Sequence, residues 1–196
     1  MRKLFLAIVL MFSLAVHAQY NGNHIKFLGI PLGQQLHMFV FHLKQKGFKD
    51  DKFLNSLWAG TGDNIYSMNG LFMGVNNQSI SIHYTSSKIV NEVSVMYDHK
   101  SWNSAYKQYW KIKSMLTQKY GKPNKSVEKF SNPIPKDDRG KIKAIQTEKG
   151  KYTSTYNVDS GIIEIKIHCY NNNNEPNVVL SYEDSSIKER KPIDDL

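Results

Sequence analysis

Two runs of strict apolar–polar alternation constrain this chain more than any other feature. In residues 79–84, Ile80, Ile82 and Tyr84 alternate with Ser79, Ser81 and His83. In residues 88–98, Ile89, Val93, Val95 and Tyr97 fall on the apolar side, which Asn91 interrupts. Successive strand side chains point to opposite faces, so a period of two means one buried face and one wet face. That is the signature of an antiparallel sheet covered on one side only. Residues 161–170 repeat the pattern, with Ile163, Ile165, Ile167 and Cys169 against Glu164, Lys166 and His168. They read as a hairpin with residues 152–158, turning about Asp159-Ser160-Gly161. Residues 24–28, 125–130 and 177–183 add strands. Residues 53–59 and 64–75 read as further strand-like runs, 131–140 as a loop and 171–176 as a turn.

Two helices supply the cover. In residues 34–46, Leu36, Phe39, Val40 and Leu43 recur at i, i+3, i+4 and i+7, the spacing of one buried face. Gly47 is placed to end that helix in the left-handed conformation, with Phe48 packing back on Leu43. The second helix spans 102–120, with Ser101 as N-cap and an apolar stripe of Trp102, Ala105, Tyr109, Ile112, Leu116 and Tyr120. Gly121 and Pro123 stop it. The helix ends Leu43-Lys44-Gln45-Lys46-Gly47 and Leu116-Thr117-Gln118-Lys119-Tyr120-Gly121 are alike at an offset of 73 residues (116 − 43). Each is followed by several strands. The expected fold is therefore α+β, a two-layer domain with helices packed on one face of an antiparallel sheet, built from two helix-plus-strands units.

Residues 1–18 read as a signal peptide: Arg2 and Lys3, an apolar run from Leu4 to Val16 broken only by Ser13, then Val16-His17-Ala18. A run of about 13 apolar residues falls short of the roughly 20 that span a bilayer. Residues 19–184 then form a single domain and 185–196 a charged C-terminal tail. The expected location is periplasmic or secreted. A lipoprotein is not expected, because the lone cysteine, Cys169, is far from the cleavage site. One cysteine also excludes an internal disulfide, so the domain relies on its core. Loss of Arg2 and Lys3 lowers the net charge from +9 to +7. The lysines are dispersed rather than blocked together, which argues against a nucleic-acid arm.

This helix-plus-sheet layout resembles the β-lactamase-inhibitor-protein-like fold, used by secreted bacterial inhibitors and envelope assembly factors. More locally, Phe27-Leu28-Gly29-Ile30-Pro31-Leu32, Lys119-Tyr120-Gly121-Lys122-Pro123 and Ile193-Asp194-Asp195-Leu196 are similar to segments of small exported proteins of gut anaerobic bacteria. The resemblance implies export and an inhibitor-like architecture; it brings no catalytic residues.

No chemical motif stands out. Cys169 shares parity with the strand isoleucines and is expected to be buried and inert. No Gly-x-Ser-x-Gly elbow or phosphate-cradling glycine pattern is present. His37 and His42 fall on different helical faces, Asp98 and His99 sit at a strand end, and His83 and His168 lie on polar strand faces, where they would face one another across the sheet. Neither a metal nor a cofactor is expected. The leading function is non-enzymatic binding of an envelope or extracellular protein through the sheet's polar face: Ser81, His83, Glu92, Ser94, Thr153, Thr155, Glu164, Lys166 and His168. An alternative surface is Tyr106, Trp110 and Lys113 beside the second helix's stripe, suited to a sugar or an anion, with Met38 and Phe41 on the outer side of the first. The competing class is an enzyme or glycan-binding factor acting on envelope polymers.

Overall fold

The computed structural model describes residues 23–170 and 175–187. The expected leader, most of the expected tail and residues 171–174 of the expected turn lie outside them. A small hairpin, β1 (Lys26–Phe27) with β2 (Ile30–Pro31), precedes α1 (Leu36–Gln45). Then come β3 (Lys49–Asp50), α2 (Lys52–Thr61), β4 (Ile65–Phe72), β5 (Val75–Tyr84) and β6 (Val90–Asp98). The second half repeats that order with α3 (Trp102–Tyr120), β7 (Lys125–Phe130), α4 (Asp138–Gln146), β8 (Gly150–Val158), β9 (Gly161–Cys169) and β10 (Pro176–Asp184). The large sheet is antiparallel with eight strands in the order β3-β4-β5-β6-β10-β9-β8-β7. This is the α+β fold that the alternation implies.

The order contains an internal repeat: helix, short strand, helix and three long strands, twice. The two sets of strands meet at β6 and β10. Ile80-Ser81-Ile82-His83 corresponds to Ile165-Lys166-Ile167-His168, and Val93, Val95 and Tyr97 to Val178, Leu180 and Tyr182, at one offset of 85 residues (165 − 80). Val95 and Leu180 are repeat equivalents and also direct cross-strand partners, so a local two-fold axis passes between them.

Alternation produces the core. Ile80, Ile82, Val93, Val95, Ile163, Ile165, Val178 and Leu180 are buried on one face, beneath Phe39, Val40 and Leu43 of α1 and Trp102, Ala105, Tyr109, Ile112 and Leu116 of α3. The end of α1 has the expected geometry: Gly47 has φ 89°, Gly47 N–H donates to the Lys44 carbonyl, and Phe48 N–H to that of Leu43 at 3.1 Å. Ser101 caps α3 by accepting from Ser104 N–H at 3.2 Å. Cys169 is 3% exposed, and burial pushes its thiol up to about 11, so it is core rather than nucleophile.

Several expectations are corrected. Residues 53–59 are helical, within α2: Asp51 caps it through Leu54 N–H at 2.9 Å, and Gly62 closes it at φ 77°. The end of the 131–140 segment starts α4, where Asp137 accepts from Gly140 N–H. Residues 64–75, by contrast, hold the expected strand, β4, which ends in a turn, Met73-Gly74, whose two positive φ angles suit a tight hairpin. On β6 the buried residue is Val90 rather than Ile89, because the register shifts between His83/Glu92 and Tyr84/Val90 and leaves Asn91 unpaired in a bulge.

Candidate functional site

The second face of the sheet carries all nine residues of the polar set, each half-buried. Its centre is a row of polar side chains in register, small at the β4 end: Ser67 pairs Ser81, Ser81 pairs Ser94, Ser94 pairs Ser181, Ser181 pairs Glu164, Glu164 pairs Thr155, and Thr155 pairs Lys125. At about 4.8 Å per strand, the stretch from Ser81 to Lys125 runs roughly 24 Å. Helices α1, α3 and α4 pack on the opposite face. The remaining helix, α2, leans over only the β4 end, where Trp58 Nε1 donates to Ser67 Oγ at 3.0 Å.

Beside the serines lies a charged row. His83 pairs Glu92, and Glu92 pairs Glu183. Burial holds the Glu92 carboxyl above the ordinary carboxylate range; His83 and Lys166 pull it down, and the like charges of Glu183 and Glu164 push it up. Lys166 pairs with Glu164 at 3.1 Å. Burial, then Lys166, lowers His168. An open pocket of about 350 Å³ borders His83, Glu92 and Asn91, whose Oδ1 is buried with no hydrogen-bond partner among the described residues.

A Glu with a raised folded pKa destabilises the fold once ionised, so stability is lost as pH rises from near 4.5 through the folded value. Glu92→Gln should therefore gain about 0.5–1 kcal/mol of stability at pH 7, the scale of a cross-strand like-charge pair. Urea unfolding should show the gain closing by about pH 4; a variant less stable than wild type at pH 7 would contradict the account.

His83 and His168 do not face one another. They are repeat equivalents on β5 and β9, with β6 and β10 between them. Several residues on this face lie outside the expected polar set. Glu183 and Ser181 alternate with buried Leu180 and Tyr182, a parity that the last strand already carried. Tyr170, 46% exposed, packs edge-on against His168 at 4.6 Å, and its hydroxyl reaches Met96 Sδ at 3.8 Å. Met96, 37% exposed, thus joins it, beside its cross-strand partner Val179, as an apolar contact on a mainly polar face.

The alternative surfaces are exposed but differently built. Tyr106 and Trp110 meet edge to face at 6.0 Å, so they offer no flat stacking platform. Lys113 lies 4.7 Å over Trp110 and is already paired with Glu128. Met38 and Phe41 are exposed on α1, with Phe41 bordering an apolar pocket of about 400 Å³ beside Val40 and Tyr66. Among the described residues, no group of three metal-ligating side chains converges, and no helix is long and apolar enough to cross a membrane. Comparison with protein-family profiles, curated proteins and solved structures finds no match to this chain.

Proposed function

We propose that this is an exported, non-enzymatic binding protein of the bacterial envelope that takes a protein partner on the open polar face of its sheet. One observation carries the reading: a sheet face that the described helices leave open beyond its β4 end presents a continuous row of serine, threonine and charged side chains, flanked by Met96 and Tyr170. Hydroxyls and carboxylates at fixed strand spacing suit directional contacts, and tyrosine and methionine are the anchors that interfaces favour. The carboxylates of Glu92 and Glu183 stand on an open face, not in a water-excluding cleft, which favours recognition over acid–base chemistry. The leader-like residues 1–18 and the likeness to inhibitor-type architecture support the setting, although a fold alone does not assign a role.

The test is capture of envelope proteins on the immobilised chain. Glu164→Lys with Lys166→Glu should reduce recovery of the specific partner about tenfold, the scale of a lost charge-pair contact. Lys107→Glu with Lys111→Glu, on the exposed side of α3, should leave it unchanged. The reverse result would move the site to the helices and bring Tyr106 and Trp110 forward.

A further inference from the structure

The two edges of the large sheet are treated differently. At the first, β3 is only two residues long, and α2 takes over where it ends. The side chain of Asn55 there imitates a strand: its Nδ2 donates to the Ser67 carbonyl at 3.0 Å, and Ser67 N–H donates to its Oδ1 at 2.6 Å. That edge is closed. At the other, β7 runs for six residues and, among the described residues, its main chain bonds to β8 alone. Every second residue of an edge strand turns its N–H and C=O outward, a ready template for another strand.

The side chains on this open edge select what can join it. Lys125, Val127 and Lys129 share the open face of the sheet; both lysines are exposed, and neither is ion-paired among the described residues. Lys129 lies directly opposite Lys151, a like-charge pairing that costs stability. A second copy added through β7 would set lysine against lysine, so self-pairing is opposed. An acidic strand would relieve the repulsion.

Resting on the reading of the sheet as a protein-binding surface, we propose that β7 accepts an extended acidic segment of a protein partner as a ninth strand. The segment has carboxylates opposite Lys125 and Lys129 and an apolar residue opposite Val127, an acid-x-apolar-x-acid pattern. Main-chain bonds supply the affinity and the alternate side chains the specificity. The new strand extends the row that already ends Glu164, Thr155, Lys125.

The probe is a capped heptapeptide, Thr-Glu-Thr-Val-Thr-Glu-Thr, with two comparison peptides. One has lysines for the glutamates; the other keeps the charge but carries prolines at two threonine positions, so it cannot complete a ladder. The acidic peptide should bind at least tenfold more tightly than either, and amide-exchange slowing should concentrate in residues 125–130. Lys125→Glu with Lys129→Glu should invert the preference toward the lysine peptide, and Lys125→Gln with Lys129→Gln should fall between. Equal binding of the proline peptide, protection away from β7, an unchanged preference in the reversed variant, or concentration-dependent dimerisation through this edge would each overturn the proposal. Partner capture that ignores the Glu164 and Lys166 reversal while the peptide still binds β7 refutes the face reading alone; the opposite pattern refutes the edge alone.

Discussion

Asp184→Ala is expected to cost about 3 kcal/mol of stability, the largest single-site loss outside the apolar core. Asp184 is the last residue of β10 and is 1% exposed. Its carboxylate accepts from His24 Nδ1 at 2.8 Å, Ile25 N–H at 3.3 Å, Ser186 N–H at 3.0 Å and Ser186 Oγ at 2.5 Å. One side chain thus ties the first described residues to the last. His24 is seated in turn over Gly33, where a Cβ would come within 2.7 Å of its ring. Truncation to alanine strands a buried main-chain N–H at Ile25 and leaves the imidazole without its counterpart. Asp184→Asn retains one acceptor oxygen and should cost about 1–2 kcal/mol. Urea midpoints at unchanged slope measure both. A loss below about 1 kcal/mol for the alanine variant would mean that the tie is incidental.

How much of this was legible beforehand depended on how each element meets the core. Helices α1 and α3 pack squarely on the sheet, so their apolar residues recur at helical spacing, and Ser101, Gly47 and Gly121 mark their ends. Helix α2 lies along an edge, and the half-buried residues it turns inward, Leu54, Asn55 and Trp58, form no continuous apolar stripe. Phe53 stays 71% exposed, so its hydrophobicity carried no periodic signal and the segment read as a strand. Helix α4 buries only Ile142 and Ala144 and begins inside a polar, proline-containing segment. The Asp51 and Asp137 caps were the available clues to both. The polar face was legible because parity fixes it; the β6 bulge shows the limit, since one unpaired residue moved the buried position from Ile89 to Val90. The likeness of the helix ends is a weak marker of the repeat, because the two helices differ in length by nine residues, 19 against 10. The strands carry it more plainly, in Ile-x-Ile-His twice and in the two aligned tyrosines.

Glu128→Ala should destabilise the protein by about 2–3 kcal/mol and loosen β7 in particular. Glu128 Oε1 accepts from the Tyr109 hydroxyl at 2.8 Å, Ser126 Oγ at 2.8 Å, Ser154 Oγ at 3.0 Å and the Lys113 ammonium. Tyr109 and Ser154 are fully buried, so the carboxylate is the acceptor that lets their hydroxyls sit beneath α3. Burial pushes its pKa up, but Lys113 and the three hydroxyls outweigh that and hold it below the ordinary value. The sign follows from linkage. A depressed carboxyl contributes stability that is present above about pH 4.5 and is lost as pH falls through the folded value. The gap between wild type and Glu128→Ala should stay constant from pH 7 to about 5 and shrink in stronger acid, the opposite of the Glu92→Gln series. Glu128→Gln keeps an oxygen acceptor but loses the charge toward Lys113, and should cost roughly half as much. Because Glu128 fastens β7 to α3 from the core side, amide exchange in residues 125–130 should accelerate in the alanine variant before the rest of the sheet responds. Uniform acceleration across all eight strands would instead place this cluster in the global core, with no separate hold on the edge.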